Sequence, residues 1–274
     1  MQVTSRWRLV CGLLVLSLTQ AALAQEAVLE VNSGGATQQW TRAALLAQAS
    51  EIRIEQDVTY RRAMTYRAIA LNKLLPQAEQ YGTVQFVAAD GFVANIAGKD
   101  LAGAGQAYLA IETPEQAWPA IDPDHPQKKS SAGPYYLVWV NPKAGNISSE
   151  QWPYQVAKIS VVRALSERFP QIRPAALPRA SYPAALRGMS AYIKHCSVCH
   201  QMNGGGDAAI GPDLNQPYSP TAYFQEAFLK KLIRQPQSVR SWKSAQMPGF
   251  DSASLSDQEL NDLLTYMRHM AKSR

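Results

Sequence analysis

Cysteine is scarce in this chain, with 3 in 274 residues. That scarcity excludes a small fold stapled by a framework of disulfides. Long apolar runs are missing too. The longest leading stretch, residues 9–18, is too short to cross a bilayer comfortably, and nothing later reaches spanning length. There is no low-complexity tract and no internal repeat. Charge of one sign is not in large excess, at 27 basic against 21 acidic residues. A balance that modest does not point to nucleic acid. It is compatible with docking to an acidic partner.

What remains is an ordinary globular composition, 46% hydrophobic and 18% charged. The length suits two domains, each with its own core. The first residues are expected to leave. Arg6 and Arg8 form a positive start, residues 9–18 an apolar core, and Ala22-Leu23-Ala24 a small-x-small cleavage site. This is a Sec-type signal peptide over residues 1–24, with the mature chain starting at Gln25; an uncleaved anchor is the alternative. Removal of two arginines leaves 27 − 2 = 25 basic residues against 21 acidic ones. The expected compartment is the periplasm, and the mature protein is expected to be soluble or peripherally associated with a membrane complex.

Cys11 leaves with the signal, so the mature chain holds only Cys196 and Cys199. They stand in Cys196-Ser197-Val198-Cys199-His200. A thioredoxin-like redox pair or a local disulfide is the rival reading, but a histidine follows directly and no βαβ pattern surrounds the motif. C-x-x-C-H reads as covalent attachment of one c-type haem. Two thiols on one turn reach the two vinyl groups of one porphyrin. The adjacent imidazole of His200 then falls under the iron as proximal ligand.

A six-coordinate iron needs a second axial ligand. The remaining sulfur and imidazole groups are Met202, Met247, Met267, Met270, His195 and His269. Met202 and His195 are too near the motif to wrap to the other face. Met267 and Met270 have the spacing of helix core, and His269 reads as a surface residue. Met247 lies in the loop-like segment Gln246-Met247-Pro248-Gly249-Phe250. Pro248 keeps that segment from continuing as helix, leaving the sulfur free to cover the distal side. Met247 is therefore the expected ligand, against a packing role.

Residues 171–183 contain three prolines and no periodicity and read as an extended linker. Before it, residues 25–170 are mixed. Thr41 is placed to cap a short helix over residues 42–46. Residues 52–55 alternate like a strand, and residues 70–75 look helical. Residues 84–87 and 92–96 flank Asp90-Gly91, a hairpin signal. Residues 107–111, 135–140 and 156–162 read as further strands. The expectation is an α+β domain. After the linker, residues 184–274 are helical. Helices are expected over 186–195 and 223–234, and a last one starts at Ser256. Glu259 completes a capping box there, and Leu260, Leu263, Leu264 and Met267 form its apolar stripe.

With these residues in place, 184–272 resembles a class I c-type cytochrome. The matching features are Gly188 and Tyr192 in the first helix, the C-x-x-C-H motif, Gly211-Pro212-Asp213-Leu214, Met247-Pro248, and the closing helix with Tyr266. The resemblance implies an all-α domain whose first and last helices cross near Gly188, Tyr192 and Tyr266. It implies that the Pro212 carbonyl accepts a hydrogen bond from the proximal His200. His/Met ligation fills both axial positions, which implies outer-sphere electron transfer rather than catalysis at iron.

Residues 35–165 resemble the molybdopterin-binding domain of sulfite-oxidase-type oxidoreductases, with a mixed sheet. The resemblance is carried by residues 64–75, 87–92, 108–111 and 133–138. Catalytic members of that family hold molybdenum through a cysteine thiolate, and residues 25–170 contain no cysteine. No other residue here replaces that soft ligand. The domain is therefore read as non-catalytic, docking a redox partner such as a dehydrogenase or an oxidase. A haem–molybdopterin sulfite-oxidase-like oxidoreductase is the alternative. Trp118, Tyr135, Tyr136, Trp139, Trp152 and Tyr154 are read first as packing and second as an interface. Asp122, Asp124 and His125 are read as a solvated loop before a cation site.

The exported protein is expected to begin at Gln25. N-terminal sequencing of the mature chain checks this, and a start inside residues 1–24 would move the cleavage site.

Overall fold

The computed structural model describes residues 28–125, 128–176, 178–242 and 245–272. The expected signal peptide lies outside the described residues. Among the described residues, nine strands make two sheets. The strands are β1 (Val28–Asn32), β2 (Thr37–Thr41), β3 (Ser50–Ile54), β4 (Met64–Ala70), β5 (Thr83–Ala88), β6 (Val93–Ile96), β7 (Ala107–Ile111), β8 (Tyr135–Trp139) and β9 (Val156–Val162). One sheet has the order β2-β1-β9-β5-β6 and the other β3-β4-β7-β8. β1 and β9 pair in parallel and the other partners antiparallel, so the first sheet is mixed and the second is not.

The two sheets share one core. Leu29, Val84, Phe86 and Ile159 from the first meet Ile69, Leu109, Ile111 and Trp139 from the second. All five residues of β8 are buried, which is why it reads as a continuous apolar run without alternation. The Thr41 side chain caps α1 (Arg42–Leu46) by accepting from the Ala44 amide. α2 (Leu71–Leu74) and α3 (Gly98–Leu101) are single turns. The β5–β6 hairpin turns at Asp90-Gly91, where Gly91 has φ +91° and the Asp90 carboxylate accepts from the Phe92 amide. A left-handed glycine is what that turn requires.

After α4 (Leu165–Arg168) the chain becomes helical: α5 (Tyr182–Ala191), α6 (Pro220–Tyr223), α7 (Glu226–Arg234), α8 (Pro236–Val239) and α9 (Asp257–Ala271). α9 starts on a reciprocal cap, Glu259 accepting from the Ser256 amide at 2.8 Å and Ser256 from the Glu259 amide at 3.2 Å. α5 and α9 cross at Gly188. A Cβ there would lie 2.0 Å from the Asp262 carbonyl oxygen and 2.7 Å from the Tyr266 Cβ. Tyr192 and Tyr266 stack beside the crossing with ring centroids 5.5 Å apart.

Several expectations change. β1, β2 and the start of β4 carry no strong alternation and were not anticipated as strands. The helix expected over 223–234 is broken at Phe224, whose extended backbone separates α6 from α7. The segment expected as an extended linker is strapped to the helical domain by two 3-10 turns, Pro170–Ile172 and Arg179–Ser181. Ile172 is fully buried and its carbonyl accepts from Tyr266 Oη at 2.7 Å. Proline spacing signalled a break in helix, but one buried isoleucine decides where the segment lies. His269, expected at the surface, is buried under this strap, with Nδ1 3.0 Å from the Ala175 carbonyl and Nε2 2.9 Å from Ser181 Oγ.

Gly188→Ala forces backbone apart at the crossing. The expected cost is about 1–3 kcal/mol, the usual range for overpacking. Urea or thermal unfolding checks it, and unchanged stability would show that the two helices part freely.

Candidate functional site

α5 does not run straight into the motif. Its last turn widens into a π-type turn, Tyr192–Cys196, a form that is often found at functional sites. The chain then winds on, with the His200 amide donating to the Cys196 carbonyl at 2.8 Å and the Cys199 amide to the same oxygen at 3.1 Å. One helical turn thus places Cys196 and Cys199 three residues apart on one side.

The imidazole of His200 is fixed from two directions. Its Nδ1 lies 2.7 Å from the Pro212 carbonyl oxygen. A carbonyl only accepts, so Nδ1 carries the proton and Nε2 keeps its lone pair. Burial lowers the pKa of the ring, opposed by the Pro212 bond and Asp213. Gly211 lies flush against the ring: a Cβ there would be 2.3 Å from Cε1. The Asp213 carboxylate holds the loop behind Pro212 by accepting from the amides of Asn203, Gly204, Asn215 and Gln216.

Met247 is half-buried in the loop before α9. The Phe250 amide fastens that loop to the Ile233 carbonyl at 3.1 Å, and Arg234 Nη1 donates to the carbonyls of Phe250 and Asp251 at 3.0 Å each. Gly249 permits the approach, since a Cβ would be 2.5 Å from the Arg234 carbonyl oxygen. Met202, Met267 and Met270 are core residues. His195 is also buried, its ring edge-on to Phe250 with centroids 5.6 Å apart. Burial pushes its pKa down to about 4, so it is neutral. Its packing against Phe250 places it beside the Met247 loop, and the short sequence distance to the motif does not tell on which side it lies.

The motif sits at a seam between the two domains, which the sequence did not foretell. Val198 belongs to the core of the N-terminal domain, and its carbonyl accepts from the Val93 amide at 3.3 Å. β6 is the edge of its sheet, so the motif covers that edge. Arg168 grips Asp207 through both guanidinium nitrogens and also donates to Asn95 Oδ1 at 3.0 Å. Such bidentate pairs are geometrically specific. Lys194 Nζ reaches the Asn146 carbonyl at 3.0 Å.

A cleft of about 540 Å³ opens along this seam. Asp90, Gly91, Lys128 and Tyr154 line it from one domain and Asp207, Ala209, Ile210 and Gln246 from the other. Asp90-Gly91 was legible as a turn, but turn chemistry does not say what the turn faces. Of the six aromatic residues singled out above, Tyr154 alone lines the cleft. Trp118, Tyr135, Tyr136, Trp139 and Trp152 are buried. The Asp122 carboxylate accepts from the amides of Asp124 and His125 and so shapes its own turn. Among the described residues, no group of three or more His, Cys, Asp or Glu side chains is gathered as for a metal ion.

Both cysteines are free. Burial, with the nearby Glu150 charge next, pushes both thiols up to about 12. They are protonated at neutral pH, unlike the low-pKa thiol of a disulfide oxidoreductase.

Residues 185–271 match the family model described as Cytochrome c. This C-terminal third is a cytochrome c domain, and such a domain implies covalently bound haem c and haem-based electron transfer. No curated protein matches the chain. Among the described residues, no helix is long and apolar enough to cross a membrane. The donor set fits the cofactor: two thiols on one turn, a neutral imidazole with its far nitrogen free, and a glycine where a side chain would displace that ring.

Gly211→Ala is expected to push His200 off the Pro212 carbonyl and destabilise the domain by about 1–3 kcal/mol. The haem retained per chain after expression with a maturation system should fall as well, read from the visible spectrum. Unchanged haem content and stability would show that the ring has room.

Proposed function

We propose that this protein is a periplasmic electron carrier with one haem c. The haem is attached through Cys196 and Cys199 and ligated by His200 and Met247. A haem held there supplies a one-electron couple. The observation that carries the reading is the His200–Pro212 hydrogen bond of 2.7 Å. It fixes the tautomer and aims the free Nε2 lone pair, as an axial imidazole requires. Pro212 is thus a positioning residue. The Met247 loop, fastened to the end of α7, brings a thioether from the far end of the sequence, and His/Met ligation favours a raised potential.

The N-terminal domain is read as the docking module for a periplasmic dehydrogenase or an oxidase. Two observations support it: the domain is covalently continuous with the haem domain, and its residues form one wall of the cleft. Its likeness to the sulfite-oxidase-type molybdopterin fold is part of the same reading. The absence of cysteine from residues 25–170 speaks against molybdenum chemistry. Metal analysis separates the two: iron alone supports the carrier, and stoichiometric molybdenum supports the enzyme.

Met247→Ala is expected to abolish the near-infrared sulfur-to-iron band of the oxidised protein. It should also open the reduced haem to carbon monoxide. A retained band would assign the ligand elsewhere. A reduced spectrum without the bands of a low-spin c-type haem would overturn the carrier reading as a whole.

A further inference from the structure

Glu150 is an unusual carboxylate. It is 8% exposed. It sits on the 3-10 turn Ser149–Gln151, which a reciprocal cap between Ser148 and Gln151 holds in place. Among the described residues its side-chain hydrogen bond is from Ser149 Oγ, at 3.0 Å. A buried carboxylate with one neutral donor is poorly compensated as an anion. Burial pushes it up to about 7, with the Ser149 bond and the charge of Lys128 pulling down. The turn packs against the π-type turn that ends at Cys196, and its charge is felt at both Cys196 and Cys199. Cys196 and Cys199 would hold the porphyrin, and Glu150 is the acid whose charge acts on both of them.

We propose that Glu150 is a redox-linked proton site: it takes up a proton when the haem takes up an electron and releases it on oxidation. The proposal rests on haem attachment at Cys196 and Cys199. One electron from a reduced donor converts ferric to ferrous haem. One proton from solvent converts the Glu150 carboxylate to the neutral acid, and oxidation reverses both. Net charge at the buried seam is thus unchanged through the cycle. The coupling follows from electrostatics. Ferric haem carries one more positive charge than ferrous haem and favours the carboxylate; its loss favours the acid. Between the two Glu150 pKa values the midpoint potential falls as pH rises.

The other charges near Glu150 do not replace it. Lys128 lines the cleft, and its charge favours the Glu150 carboxylate. Lys194, on the π-type turn, is engaged with the Asn146 carbonyl. His195 on the same turn is kept neutral by burial. β6, which also packs on the Glu150 turn, has no ionisable residue. Asp90 and Tyr154 share the cleft; Tyr154 is pushed up to about 12, chiefly by burial, and stays neutral. Cys196 and Cys199 are thioethers once haem is attached.

The test is a redox titration of the full-length haem-loaded protein from pH 5 to 9. The haem spectrum is recorded first, so that lack of haem, which would sink the carrier reading, is seen separately. The wild type is expected to lose up to about 59 mV for each tenfold fall in proton concentration near neutrality, the one-electron value. Glu150→Gln is expected to flatten that region and to sit above the wild type at high pH. Glu150→Asp should restore a slope. Parallel wild-type and Gln profiles would overturn the proposal. If the Gln variant does not fold, the infrared redox-difference spectrum of wild type labelled with ¹³C-glutamate decides. A protonated-carboxyl band that appears on reduction and shifts with the label supports it. A band that does not shift belongs to the haem propionates and overturns it, as does no band.

Discussion

The arrangement depends on one buried contact: the Val198 side chain sits in the core of the N-terminal domain while its carbonyl completes the β6 edge. Two residues away on one side, and one on the other, are the cysteines. The turn proposed to hold the haem is thus also a structural part of the neighbouring domain. An exposed sheet edge is otherwise a liability. Here it is covered by the motif, and the Arg168–Asp207–Asn95 cluster fastens the cover a few ångströms further along.

Around that contact the helical domain supplies rigidity where the chemistry needs it. Gly188 lets α5 and α9 touch backbone to backbone, and Gly211 lets a loop lie on the His200 ring. Asp213 binds four amides so that the Pro212 carbonyl does not move. Each removes a freedom that the His200 imidazole would otherwise have, and a fixed tautomer is the outcome.

Much of this was legible in the sequence where the signal is local. C-x-x-C-H, the Ser256–Glu259 cap, the Thr41 cap and the Asp90-Gly91 hairpin all follow from spacing and turn chemistry. Legibility failed where the deciding contact is remote. His269 looks like a surface residue until the strap made by residues 170–176 and 178–181 is placed on it. Glu150 looks like any acidic residue in a loop, because its turn packs against β6 and against the π-type turn of the later domain, neither of which is local in sequence. β1 was missed because the partner that buries it in the sheet, β9, lies more than a hundred residues away, and β2 is only the edge strand paired to β1. His195 was set aside for its nearness to the motif, yet it packs beside the Met247 loop.

The seam also orders how the molecule is assembled. Both cysteines are half-buried with Val198 seated, and burial, with the nearby Glu150 charge next, holds their thiols in the protonated form. An enzyme that joins porphyrin to them needs the turn in the open. Haem attachment would therefore have to precede closure of the seam around Val198. Premature closure would trap a colourless chain whose core is complete.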